Sequence, residues 1–294
     1  MSPRLSAAIP WWAKIAAKVV LSRLPVSRRT WQRIGLFSPG GMLDPDYALA
    51  VFERHFEVAG RPRPGFSFLE LGPGDSFSSA IIGHAMGAAR CWLVDSGAYA
   101  CRDMKVYGRL IDSIRARGGA PRTVSISQAD DTSALLARCG ASYLEDGLRS
   151  LTQVPEGSCD FVFSQAALEH VPKADFAAVM GEIHRILKPG GASSHDVDFQ
   201  DHLGGSLNNL RFSEPLWEAP WFARRSGFYT NRLRLSQMLA VFRDTGFEVE
   251  ILQTEKWPKV PLSNQALNPD FRAFEADDLC TWHAFVGLAK PAYP

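Results

Sequence analysis

The chain has 294 residues, 46% of them hydrophobic and 21% charged, with a formal charge of +1. This is a globular composition that excludes disorder, collagen-like repeats and coiled coil. The five cysteines (Cys91, Cys101, Cys139, Cys159, Cys280) never form a C-x-x-C pair, so they read as reduced thiols of a cytoplasmic protein, not as zinc ligands or disulfides.

Residues 1–43 carry Arg4, Lys14, Lys18, Arg23, Arg28, Arg29 and Arg33 and no acid. The apolar stretch 9–24 is interrupted by three of these charges, which argues against a membrane span, and it lacks the order of a secretory signal. Trp11, Trp12, Ile15, Ala16, Val19 and Val20 recur at three- and four-residue steps, which predicts one face of a helix that Pro25 stops. After a turn at Pro39–Gly41, a second helix is expected over 46–58, with Tyr47, Val51, Phe52 and Phe56 in register. The segment 1–60 is therefore expected to be a helical arm that closes over a pocket as a lid and excludes water. Peripheral membrane contact through residues 1–40 is the competing use of its basic, Trp-rich face.

From Phe66 short apolar runs alternate with amphipathic stretches, which predicts a doubly wound α/β domain over 61–294. Strands are expected near 66–71, 91–94, 142–144, 161–163, 192–197, 248–251 and 282–288. Helices are expected over 78–86, 98–117, 174–187 and 235–244, the last capped by Gly246. The segment 200–234 breaks the alternation and is rich in aromatics, including Trp217, Trp221, Phe222, Phe228 and Tyr229, so it reads as an insertion after the fifth strand.

Leu69-Glu70-Leu71-Gly72-Pro73-Gly74-Asp75-Ser76 lies where the first strand turns into a helix, and its glycines let backbone pass close to a ligand. A dinucleotide fingerprint needs a third glycine where Phe77 stands, and the loop carries acids instead of Lys or Arg, so a phosphate ligand is disfavoured. Asp95 ends the second strand, where a carboxylate accepts both ribose hydroxyls or else caps a helix at 96–98.

Together with Leu93-Val94-Asp95, Cys159-Asp160-Phe161-Val162-Phe163-Ser164, Leu168-Glu169-His170-Val171 and Leu187-Lys188-Pro189-Gly190-Gly191, this motif resembles the class I S-adenosylmethionine-dependent methyltransferases. The resemblance runs from Phe66 to Gly191 and more loosely to Lys290. It implies a Rossmann-like, seven-stranded, mostly parallel sheet that binds S-adenosylmethionine. Gly72, Gly74, Asp75 and Ser76 would lie along the methionine moiety, with Glu70 reaching its ammonium directly or through water. Asp95 would hold the ribose, Asp146, Gly147 and Leu148 would edge the adenine, and Ser164 and Gln165 would flank the sulfonium. Carboxylates and aromatic walls suit such a cationic ligand.

The fifth strand, with Ser193-Ser194-His195-Asp196-Val197-Asp198, is too polar for a buried central strand unless its end lines a pocket. His195 or His202 is expected to be the catalytic base, oriented by Asp198 or Asp201. The same four residues could ligate a metal or simply tie down a strand end, and no metal is assigned. Glu169-His170 is read as structural. Arg232 or Arg234 could clamp an anionic acceptor or pair with nearby acids.

The expected function is methyl transfer to a small-molecule or glycan acceptor, in small-molecule biosynthesis. The alternatives are a lyase or cyclase that releases methylthioadenosine, and a non-catalytic cofactor-binding or membrane-associated module. Nucleic acid is disfavoured as a partner, because Ser164-Gln165-Ala166-Ala167 lacks a Pro-Pro-aromatic pattern and the whole-chain charge is near neutral. The sequence leaves the oligomeric state open.

Overall fold

The structure is a computed structural model that describes residues 10–21, 41–118, 131–224 and 227–292. Much of the basic arm lies outside the described residues, including Arg4, Arg23, Arg28, Arg29, Arg33, the expected stop at Pro25 and the start of the Pro39–Gly41 turn. All seven expected strands form: β1 (Ser67–Leu71), β2 (Arg90–Val94), β3 (Ala141–Leu144), β4 (Cys159–Gln165), β5 (Leu187–Asp198), β6 (Glu248–Lys256) and β7 (Thr281–Ala289). They make one sheet in the order β3-β2-β1-β4-β5-β7-β6. Every pairing is parallel except those of β7, which runs antiparallel to both β5 and β6. The chain order reverses between β1 and β4, so a crevice opens beyond their carboxyl ends, the usual ligand position in an open α/β sheet.

The helices cover both faces. In chain order, α1 (Trp11–Leu21), α2 (Pro45–Val58), α3 (Ser78–Ala85), α4 (Met104–Arg117), α5 (Thr132–Arg138), α6 (Leu148–Leu151), α7 (Phe176–Ile186), α8 (Glu214–Trp217), α9 (Leu235–Asp244) and α10 (Ala276–Cys280) are the α-helical segments among the described residues. On one face Leu49, Phe52 and Phe56 of α2 join Phe68, Phe161 and Phe163 of the sheet with Ile81 and Ile82 of α3. On the other, Val179, Met180 and Ile183 of α7 and Met238 and Phe242 of α9 pack on Leu69, Val162 and Val197. Each fully buried large apolar side chain contributes roughly 1.5–3 kcal/mol. Helix α4 starts at Met104, six residues later than expected, because Asp103 caps it by accepting from Lys105 N–H.

The expected arm divides into two parts with different packing. Helix α2 belongs to the main core, whereas α1 lies on the insertion, where Ile15 is buried among Leu203, Trp217, Phe222 and Phe228, with Trp11 and Val19 beside them. Trp12 and Val20, expected on the same buried stripe, are each 61% exposed. The insertion is thus a small aromatic core of its own. Its Trp217 indole donates to Thr230 O at 2.7 Å.

Candidate active site

Four loops meet at the switch crevice. Gly72 follows β1 at φ +76°, and a Cβ there would stand 2.5 Å from the Ala167 methyl, so the loops after β1 and β4 touch at a position only glycine fits. Gly74, at φ +62°, donates its N–H to Asp95 Oδ2 at 2.9 Å, while Asp95 Oδ1 accepts from Ser96 N–H at 2.7 Å. Asp95 therefore ties the end of β2 to the glycine loop, and no helix follows at 96–98 for it to cap. Gly147 N–H donates to Asp95 O at 2.8 Å, which brings the loop after β3 alongside. Asp146 is exposed there and Leu148 half-buried. After β4, Ala166 holds a left-handed φ of +48°, a strained conformation for a residue with a Cβ and one that gathers at functional sites.

Glu70 is fully buried at the end of β1, with Oε2 lacking a hydrogen-bond partner among the described residues. Burial pushes its pKa up to about 8, with the neighbouring Ser79 hydroxyl opposing and the Asp95 charge adding to the rise. Asp75 is half-buried in the same loop. Two of the expected cofactor contacts use their side chains elsewhere. The Ser76 hydroxyl accepts from Ser78 N–H at the start of α3, and the Ser164 hydroxyl points into the core against His195. Gln165 reaches back toward His55 Nε2 at 3.3 Å.

Of the two histidines expected as the base, His195 is enclosed by the geometry of β5. Period-two alternation sends its polar residues to opposite faces, and each face supplies partners. On one, His195 is fully buried against Phe242, with Nδ1 2.8 Å from Ser164 Oγ and Nε2 2.9 Å from Ser193 Oγ. Ser193 donates its hydroxyl proton to Val162 O, so it accepts from His195 Nε2–H, and Nδ1 accepts from Ser164. Burial lowers the His195 pKa to about 3. A histidine so enclosed ties β4 and β5 together through Ser164 and Ser193. On the other face Ser194 meets His55 Nδ1 at 2.7 Å, and Asp196 pairs with Arg54 at 2.7 Å and His283 at 2.9 Å.

Asp201 likewise has its carboxylate taken, accepting from the N–H groups of Leu203, Gly204 and Asn208 and from the Asn208 amide. Arg232 is buried against Glu214 and Phe212 O, and Arg234 donates to the carbonyls of Phe199, Asp278 and Thr281. Both arginines hold the insertion in place, Arg232 through its pair with the Glu214 carboxylate and Arg234 through backbone carbonyls.

The remaining members of the expected set lie elsewhere. His202 faces His170, with ring centroids 4.9 Å apart, and both stand beside Glu169. Glu169 is fully buried, and burial raises its pKa well above the carboxylate range, with Asp198 and Asp196 adding to the rise. It also lines a small cavity with Asp198, Asn209, Thr230, Arg232 and Arg234. Sequence reasoning missed Arg54, His55, Asp196 and His283. His55 was detectable in principle, since it shares the stripe of Phe52 and Phe56 on α2.

The sheet order and the loops at its carboxyl edge define a Rossmann-like class I methyltransferase fold. Residues 69–194 match the family model described as a methyltransferase domain. Among solved structures, the chain is similar to an S-adenosylmethionine-dependent methyltransferase from Mesorhizobium loti, with 19% identity over 82% of this chain and 95% of that one and a TM-score of 0.42. It is also similar to an S-adenosylmethionine-dependent methyltransferase from Methanosarcina mazei (16%, 80% and 96%, TM-score 0.44). A third similarity is to Haemonchus contortus phosphoethanolamine N-methyltransferase 2 in complex with phosphomonomethylethanolamine and S-adenosylhomocysteine (16%, 90% and 61%, TM-score 0.45). No curated protein matches the chain.

Proposed function

We propose that this protein transfers the methyl group of S-adenosylmethionine to a small-molecule or glycan acceptor. The observation that carries the reading is the meeting of the Gly72–Gly74 loop, Asp95, Asp146-Gly147 and Gln165-Ala166 around one crevice at the switch point. In it Glu70 faces the cofactor's ammonium, and Asp95 accepts from the ribose hydroxyls while keeping its bond to Gly74. Asp146, Gly147 and Leu148 edge the adenine. The backbone of Ser164 and the side chain of Gln165 flank the sulfonium. Catalysis of such a displacement is chiefly positioning: the acceptor and the methyl carbon are held in line and water is kept away.

Gln165 is itself held by His55, so α2 and the sheet act together as a rigid base for the cofactor. The acceptor is assigned to the side formed by α1, the insertion and the Glu169–His170 turn, which closes over the carboxyl end of β4 and β5.

The test is calorimetry with S-adenosylhomocysteine, followed by mass spectrometry of the cofactor-derived products with candidate acceptors. Asp95→Ala should weaken binding by about 2–4 kcal/mol, since two charge-assisted hydrogen bonds are lost with partial compensation by water. Normal affinity in a folded Asp95→Ala protein would remove Asp95 from the site. Methylthioadenosine formed without acceptor would replace methyl transfer with cleavage of the cofactor.

A further inference from the structure

We infer that Glu169, His170 and His202 form a binding site for a divalent transition-metal ion at the acceptor side of the crevice. One ligand atom from each residue lies within 4.8 Å of the others. An ion about 2.1 Å from three ligands brings them to roughly 3–4 Å from one another, so closing the site takes movements of under about an ångström. Two imidazole nitrogens and a carboxylate select the first-row divalent ions over Mg²⁺ and Ca²⁺, which prefer all-oxygen shells.

Two further observations point to a ligand at this place. Both carboxylate oxygens of Glu169 are buried and meet no side-chain donor among the described residues; only the backbone N–H groups of Glu169 and Asp198 come near them. Neither Arg232 nor Arg234, which line the same cavity, pairs with them: the terminal guanidinium nitrogens of Arg232 and Arg234 bond Glu214 and backbone carbonyls. A buried carboxyl with so few donors is costly, and a cation lowers that cost.

His170 supplies the second observation. Its Nδ1 lies 2.9 Å from Tyr229 O. A carbonyl only accepts, so Nδ1 carries the proton and Nε2 keeps the lone pair, which is the outer hydrogen bond that metal-binding histidines use to fix tautomer and direction. The turn is fixed as well, since Asn231 donates to Leu168 O and Val171 O and its own N–H to Glu169 O.

Three protein ligands leave coordination positions open. On the methyl-transfer reading, an acceptor oxygen takes one of them and is acidified there; ion binding itself does not depend on that reading. The site draws on the turn after β4 and on the start of the insertion, 32 residues apart in sequence between His170 and His202.

The experiment is titration of the full-length protein with Co²⁺, followed by its visible ligand-field bands and by competition with Zn²⁺. The wild type should bind one ion and show bands of a nitrogen- and oxygen-ligated site. His170→Ala and His202→Ala should each weaken binding by at least roughly 10²-fold, more than the ~10- to 100-fold that loss of an outer partner costs. Glu169→Gln keeps the shape of the buried side chain and should do the same; His170 is exposed, so its variant keeps the test valid should Glu169→Gln fail to fold. S-adenosylhomocysteine affinity should stay unchanged in the histidine variants, which separates failure of the metal site from failure of the cofactor assignment. Co²⁺ binding in the wild type no tighter than in the His170→Ala, His202→Ala double variant would overturn the proposal.

Discussion

At the scale of single residues, Glu70 is where burial and ligand charge meet. Free, its carboxyl has a pKa of about 8 because burial disfavours the ion, so near pH 7 it is mostly protonated. An ammonium docking beside it reverses the balance and drives the proton off. Cofactor binding at pH 7 should therefore release close to one proton, seen by calorimetry in buffers of different ionisation enthalpy, and Glu70→Gln should abolish the release. Equal heats in all buffers for the wild type would place the ammonium elsewhere. Gly72 is decided by space and backbone together: its φ of +76° disfavours any side chain, and a methyl would stand 2.5 Å from Ala167. Gly72→Ala should cost about 1–3 kcal/mol of stability. It should also lower S-adenosylhomocysteine affinity by pushing the loops after β1 and β4 apart. An unchanged melting temperature and affinity would mean that these loops are not in contact.

At the scale of elements, β5 carries its polar residues because each has a partner on a neighbouring element. His195 is satisfied by β4 and by its own strand, Ser194 and Asp196 by α2 and β7. With its folded pKa lowered to about 3 by burial, His195 remains neutral in the native state. The unfolded chain takes up the proton first as pH falls below about 6.5. The native state thus loses stability with acidification across the window from about 6.5 down to about 3. Relative to His195→Asn, the wild type should lose about 1.4 kcal/mol per pH unit between pH 6 and pH 4.5, measured by urea unfolding at each pH. A pH-independent difference would show that His195 has the same pKa folded and unfolded. The comparison with the variant matters, because Glu70 titrates with the opposite sign over part of this range.

For the whole molecule, the structure separates a large sheet core from a small aromatic core in which α1 is one wall. Ile15, buried among Leu203, Trp217, Phe222 and Phe228, joins the two segments of chain. Ile15→Ala should loosen this core by about 2 kcal/mol. Amide exchange in the segment around Trp217 and Phe228 should then speed up roughly 30-fold, with β1 and β4 unaffected because they lie in the other cores. Exchange that rises equally in β1 and β4 would mean that the two cores unfold as one. No described helix is long and apolar enough to cross a membrane.

The sequence by itself determined the fold class, the seven strands and the glycine loop that turns out of the first, because these depend on local signals. Short apolar runs make strands, Gly72 and Gly74 mark a turn that side chains cannot adopt, and Asp95 follows its strand at a spacing set by one βαβ unit. The end of α9 was legible in Gly246, two residues beyond it, whereas the start of α4 was placed six residues early because its cap, Asp103, lies within the expected helical stretch. What only the tertiary structure decided was the use of each polar side chain. His195, Asp198, Asp201 and His202 are neighbours in sequence, yet strand alternation and an Asx-type turn send His195 into the core and tie Asp201 to local backbone, while Asp198 and His202 both stand near Glu169. Glu169 and His170 read as structural in isolation, and only the return of the chain brings His202 against them. A side chain's chemistry is set by what faces it, and in a doubly wound sheet those facing groups come from distant parts of the chain.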